Sequence, residues 1–330
     1  MPLVDGIRDL VTDASTGIAT LVRNVDRERK ADWDVQHHLH ARQEVTAGLM
    51  VVFDRIYYMP GPYVSDMAAR DLDISVKHLK LIEMGDYRTE HQEFRPGFFK
   101  PMSLKAFELL PISRCDAGTR AMVKILDKYW TEAERGGRCG GFTEATAVSD
   151  HLSCLFSRAE RTPAGSDEDY TLQQWSGWVK RWPNQTVPGR KYTRPTNPAN
   201  PENHSPTPWD VRFGDDWVRD DSHPHRTVIL EHSVPPYEGL LRSEVLTIIG
   251  LMRERLSAQT LTEHMIAPIQ IISCMSAYEA RILQADYQGG KLTIYKSLLW
   301  SFATHEDRLE NTPTFLLYFA AEPVGDTKTF

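Results

Sequence analysis

Leu3, Ile7, Leu10, Ala14, Ile18, Leu21 and Val25 recur at steps of three and four residues. That spacing makes one apolar stripe on a helix of 3.6-residue period. Gly6 and Gly17 weaken the helix, so it depends on packing against a core, a partner or a second copy. Further helices are predicted near 35–58, stopped by "MPGP" at 59–62, and near 65–84, 103–110, 116–130 and 143–158. Ser103 and Asp116 stand where N-caps are needed. "YTLQQWSGWVKRW" predicts another helix, with Leu172, Trp175, Trp178, Val179 and Trp182 on one face.

Seven prolines then fall between Pro183 and Pro208. Proline at that density forbids helix interiors and central strands, and the segment reads as a long loop or linker running to about residue 225. Beyond it the pattern changes. "YEGLLRSEVLTIIGLMRERL" places Leu241, Val245, Ile248, Ile249, Met252 and Leu256 on one helical face, and "APIQIISCM" is the unbroken apolar run of a strand buried on both sides. "ARILQADY" and "KLTIYKS" flank "QGG", a Gly-Gly hairpin signal. A last helix is predicted from "TPTFLLYFAA", with Thr312 as N-cap and Pro313 in its first turn. The expected class is α+β: a mainly helical part over 1–182, a Pro-rich loop over 183–225, and an α/β part over 226–330 in which helix, three strands and helix build a small sheet.

Composition narrows the partners. A chain of 330 residues, 41 % hydrophobic and 25 % charged, can bury a substantial core, and a net charge of −7 leaves no basic field for nucleic acid. Cys115, Cys139, Cys154 and Cys274 form no CxxC pair, which argues against a zinc or redox motif. The first residues lack the unbroken apolar run of a signal peptide, and no window approaches a membrane span. A cytoplasmic location, no membrane and no cofactor are expected; P-loop, GxGxxG, GxSxG and kinase patterns are missing.

Four stretches offer chemistry. "GDDWVRDDSHPHRTVILEHS" supplies Asp220, His223 and His225 as metal-ligand candidates and Glu231 with His232 as acid–base candidates. Its Asp215-Asp216-x-x-x-Asp220 resembles the magnesium motif of terpene synthases and prenyltransferases, and "GDYRTEHQE" the second motif of those enzymes. The order along the chain is reversed, and a solvated acidic loop followed by a short strand accounts for the same residues. "DWDVQHHLHARQE" sets His37, His40 and Glu44 on one helical face, although such ligand sets for iron are built on strands. "AARDLDISVKHLKLIEMGDYR" resembles a repressor-type helix–turn–helix, with Asp73 at the turn, Ser75 capping the second helix, and Lys77, His78 and Lys80 free for phosphates. The C-terminal order resembles the PD-(D/E)xK nuclease core, with Asp286 and Lys296 as candidates but Ile294 where the fold carries glutamate, which metal-dependent cleavage needs.

"RPGFFKPMSLKAFELLPISRCDAGTRAMVKIL", "GGFTEATAVSDHL", "VPPYEGLLRSEVLTIIGLMRERL", "HMIAPIQIIS" and "PVGDT" together resemble a filamentous-fungal (ascomycete) family of no known activity. The resemblance implies an ascomycete origin and, for some similar proteins, genes near those of secondary metabolism. It carries no catalytic residue. Three functions are expected in turn: an accessory protein that binds or converts a small molecule without a redox cofactor, an interaction protein using the N-terminal amphipathic helix, and a DNA-binding regulator.

Overall fold

The Gly-Gly hairpin forms where the sequence predicts it. In the computed structural model, which describes residues 36, 38–82, 97–113, 116–134, 141–163, 165–180, 209–217 and 223–329, Gly289 and Gly290 hold φ values of 56° and 78°. Consecutive left-handed residues match the twist of the flanking strands, and glycine adopts them without a Cβ clash. By contact, residues 1–45 group as one unit and residues 46–330 as another. Of the first unit only the opening turns of a helix over 38–57 (α1) are described, and the stripe over 3–25 lies outside the described residues.

Among the described residues of the second unit, six two-residue strands pair in three small ladders, and eight further strands build one sheet. In chain order these are β1 (Ile74–His78), β2 (Trp178–Lys180), β3 (Trp209–Trp217), β4 (Arg226–His232), β5 (Ile269–Met275), β6 (Glu279–Gln288), β7 (Lys291–Lys296) and β8 (Trp300–Ser301). The spatial order is β1-β7-β6-β5-β4-β3-β2, with β8 beside the start of β6. β4 runs parallel to β5 and β1 parallel to β7; the other pairs are antiparallel. The helices are α2 (Asp66–Asp71), α3 (Leu104–Glu108), α4 (Ala117–Glu134), α5 (Gly141–Ser157), α6 (Leu172–Ser176), α7 (Arg242–Ser257) and α8 (His305–Phe319).

Alternation along the strands divides their side chains between two cores. Ile229, Ile272, Cys274, Ala280 and Ile282 join one cluster with Val148, Leu152 and Phe156 of α5 and Phe315 and Phe319 of α8. Arg281 and Ser273, of opposite parity, meet Glu244 of α7. On that same side Tyr287 lies against Gly48 of α1, and Arg253 stacks on Phe53 at 5.9 Å. Thus α7 and the α1 residues from Thr46 onward cover one face, and α5 with α8 the other.

The α+β class holds, and several finer expectations are corrected. The sheet is large, and strands from both sides of residues 183–208 pair within it; a division at 182 or 226 would cut through hydrogen-bonded ladders. Residues 74–78, expected as the second helix of a helix–turn–helix, form strand β1. α2 ends at Asp71, Asp73 turns the chain at φ 52°, and β-branched Ile74 and Val76 enter the ladder beside β7. The DNA-recognition reading of Lys77, His78 and Lys80 therefore loses its helix. The tryptophan stripe is broken as well: Gly177 caps α6 at φ 83°, and Trp178 turns inward as strand to donate Nε1–H to the Ala321 carbonyl at 2.8 Å. The last helix begins at His305, where Thr304 and Asp307 form a capping box, and Pro313 sits inside it. Ser103 caps α3 as expected, and Asp116 accepts from the Thr119 amide at the start of α4.

Because Trp178 joins β2 to the chain just past α8, residues 46–330 should unfold in one cooperative step. Trp178→Ala should lower stability by about 3–5 kcal/mol, measured by denaturant titration. Two separate transitions in the unsubstituted protein would contradict the single unit.

Candidate functional site

The functional candidates sort by face. β4 presents Glu231 to α5 and His232 to α7, because neighbours in a strand point oppositely. β6 and β7 do the same to Asp286 and Lys296. Asp286 pairs with Thr293 and Leu283 with Lys296 in one unbroken register, so Asp286 shares the face of Ile282 and Lys296 the face of Arg281. The nuclease constellation is excluded by this geometry as well as by Ile294. Asp286 accepts from Gln288 Nε2 at 2.7 Å, and burial raises its pKa against the pull of that bond and of Lys77.

On the α5 face Glu231 is fully buried, and the Thr146 hydroxyl donates to its Oε2 at 2.9 Å. Beside it the Cys274 thiol is pushed well up, by burial first and then by Glu231 and Asp150, so it stays protonated and unreactive. The chain leaves β5 through Ala277 and Tyr278, both left-handed (φ 60° and 58°). Such a turn costs about 1–2 kcal/mol per non-glycine residue; Glu144, accepting from the Ala277 amide at 2.6 Å, holds it.

The α7 face carries the denser chemistry. Glu244 lies three residues after Leu241, on the apolar side of α7, and accepts from the Leu241 amide at 2.8 Å, capping its own helix. Arg281 grips it with Nε on Oε1 (2.9 Å) and Nη2 on Oε2 (2.6 Å). Two more guanidinium donors reach the carbonyls of Tyr237 and Gly239, each at 2.8 Å. Gly239 is needed there: a Cβ would stand 2.4 Å from the Tyr237 ring. Both charged side chains are fully buried. Burial would raise the Glu244 pKa, and the charge and hydrogen bonds of Arg281 outweigh it, holding the carboxyl below its ordinary value.

Ser273 bridges this pair to His232, donating to Glu244 Oε1 at 2.7 Å and meeting His232 Nε2 at 2.8 Å. Ser243 meets Nδ1 at 2.9 Å. Since the one proton of Ser273 goes to the carboxylate, Nε2 carries a hydrogen and Nδ1 accepts from Ser243. His232 is thus neutral, its pKa lowered to about 4 by burial, with Glu244 and Arg281 pulling in opposite directions. The group looks like a Ser–His–acid triad, but toward Ser273, the serine that holds the acid, histidine donates and cannot act as its base.

This buried network opens at one edge. Lys296 ends β7 with its side chain 14 % exposed, and its Nζ stands 3.8 Å from Glu238, which is 69 % exposed. Burial first, then Arg281, lowers the amine pKa against the pull of Glu238 and Glu244. Glu279 completes the edge, its carboxyl raised by burial and by Glu238.

Among the other described candidates His78 stands beside Lys296 in the ladder, and the rest do not converge on this edge. His225 is fully buried, with Nε2 3.2 Å from the Val324 carbonyl and its ring edge-on to Phe99 at 5.3 Å. Burial, then His223, lowers its pKa to about 3. His223 lies 5.9 Å away, ring to ring, and Asp220 is outside the described residues. Among the described residues no three His, Cys, Asp or Glu side chains are placed to hold a metal ion. Asp215 and Asp216 belong to β3, paired with Lys180 and Val179. His40 and Glu44 form an exposed i,i+4 pair at 3.5 Å, while His37 and the stretch 85–93 lie outside the described residues. Lys77 sits over the Tyr295 ring at 5.2 Å, His78 ends β1 in register with Lys296, and Lys80 lends its carbonyl to the Tyr318 hydroxyl.

The class these observations define is an α+β protein with a mixed sheet, helices on both faces, and a buried ion pair beneath a partly open lysine. Scans against protein-family models, curated proteins and solved structures return no match to this chain. No described helix is long and apolar enough to cross a membrane.

Glu244, Arg281, Ser273, Glu238 and Glu279 were not singled out in the sequence. The available signal was a charge inside each of two apolar patterns, Glu244 between Leu241 and Ile248 and Arg281 beside Ile282, of opposite sign. Removing one partner, as in Arg281→Ala, should destabilise by about 3–5 kcal/mol. Acid should act through the histidines first. Unfolded imidazoles take protons near pH 6.5, while His232 and His225 in the fold refuse them until about 4 and 3. Stability should therefore fall as pH drops below 6.5, by about 1.4 kcal/mol per pH unit for each such histidine. The Glu244 contribution is lost only lower, below the ordinary glutamate range. His232→Asn should remove one proton's share of that slope in urea titrations; an unchanged slope would show that His232 is charged in the fold.

Proposed function

We propose that this protein binds or converts a small molecule without a redox cofactor, at the edge where Lys296, Glu238 and Glu279 stand over the Glu244–Arg281 pair. Its setting, on the resemblance to ascomycete proteins, is an accessory role in fungal secondary metabolism in the cytoplasm. The observation that supports this reading is the placement of Lys296: a side chain mostly covered by protein, its amine partly desolvated above a rigid polar base, with a loose contact to a solvent-facing carboxylate. A purely structural lysine would point its charge to water or close a tight ion pair. A partly desolvated amine beside carboxylates with perturbed protonation is the pattern of a binding or catalytic edge.

Thermal unfolding against a chemically broad set of small neutral and cationic compounds tests it. A ligand at one hundred times its dissociation constant adds about 2.7 kcal/mol, a shift of about 2–4 °C or more in a chain of this size. The shift should vanish in Lys296→Met and weaken in Glu238→Gln. Equal shifts in all three proteins, or none with any compound, would reject this edge as the site.

A further inference from the structure

Lys296 has the surroundings of a nucleophile. Its stem runs inward from the end of β7, so its amine faces the α7 side of the sheet. Register places it opposite Leu283, and Arg281 of the same strand shares that face. The charged groups that act on it are Arg281, Glu238 and Glu244. Two of these are already committed to each other: Glu244 and Arg281 are locked in their fully buried pair at 2.6 Å. What remains for the amine is partial desolvation, the Arg281 cation with its charge partly offset by Glu244, and Glu238 at 3.8 Å. Desolvation together with a nearby positive charge is how a lysine is kept unprotonated enough to attack a carbonyl carbon.

Glu238 supplies the proton path. It lies in the same short loop whose Tyr237 and Gly239 carbonyls Arg281 holds, so its backbone is fixed while its carboxylate stays solvent-facing. Glu279 adds a second carboxyl to the same edge, close enough for Glu238 to raise its pKa. Two acidic groups beside the amine disfavour an anionic ligand.

We propose that Lys296 forms an imine with a small neutral aldehyde or ketone, with Glu238 relaying the proton. Glu238 takes a proton from the ammonium, and Nζ adds to the carbonyl carbon to give a carbinolamine. The same proton returns to the departing hydroxyl, which leaves as water. The products are a protonated imine on Lys296 and the Glu238 carboxylate, so protons and charge balance without an outside reagent. This step rests on the small-molecule reading above and names its substrate class.

Full-length protein near neutral pH is treated with propanal or with glyoxylate in the presence of cyanoborohydride, which adds hydride to an imine and makes the link permanent. Peptide mapping by mass spectrometry then reads occupancy at each lysine. Lys296 should label ahead of exposed lysines such as Lys105 and Lys328, by about tenfold for each unit by which its amine pKa is lowered. Propanal should outpace glyoxylate there, and Glu238→Gln should slow labelling at Lys296 alone. Lys296→Arg, which keeps the charge, should remove the preferred adduct; if that variant does not fold, the map of the unsubstituted protein still decides. Even labelling across the lysines, or glyoxylate equal to propanal at Lys296, overturns the proposal. If labelling is even but a ligand shift that depends on Lys296 persists, imine formation fails and the binding reading stands. If both are missing, both fail.

Discussion

The salt bridge between Glu244 and Arg281 is the constraint around which the α7 face is arranged. Taking both charges out of water costs several kcal/mol per ion, and their attraction repays it only when the remaining donors and acceptors are also matched. Here they are. The carboxylate accepts from Arg281 twice, from Ser273 and from the Leu241 amide, and the guanidinium spreads to two loop carbonyls. The pair consequently fixes four things at once: the first turn of α7, the pairing face of β5 and β6, the 237–239 loop, and the neutral tautomer of His232. None of these could shift alone without exposing a buried charge.

How much of this was legible in the sequence depends on whether a feature is local. Ser103, Asp116 and the Gly289–Gly290 turn are decided by the few residues around them, and they appear where the pattern predicts. Residues 74–78 illustrate the opposite. "ISVKH" sits in a helical-looking period, but its β-branched residues and the open edge of β7 favour a strand, and the partner that decides the matter lies more than two hundred residues away. Trp178 is similar: the local stripe predicts a helix, while a left-handed Gly177 and a carbonyl at Ala321 settle it as strand.

The site was legible in part, for a reason rooted in strand geometry. His232 and Lys296 stand out as polar residues at strand ends and do belong to one face. Glu231 and Asp286 stand out equally and belong to the other, since period two separates neighbours that a list of reactive residues groups together. Glu244 and Arg281 were hidden because each alone is a blemish in an apolar run. Only the juxtaposition of α7 with β6, a product of tertiary packing, turns two blemishes into a matched pair.

The division between a saturated interior and an unsaturated edge also orders the chemistry. A buried group that is already paired or held in its unreactive form has little capacity left for a substrate: Ser273 gives its proton to Glu244, His232 gives its own to Ser273, and Cys274 is held as a thiol by burial and by Glu231. Reactivity requires incomplete solvation without complete pairing. Lys296 meets both conditions, being mostly buried and yet only loosely approached by Glu238. The rigidity of the network beneath it is what makes that state persist: Arg281 cannot swing away to relieve the amine, because doing so would strand Glu244 in the core. The buried pair thus serves the edge by being unable to respond to it.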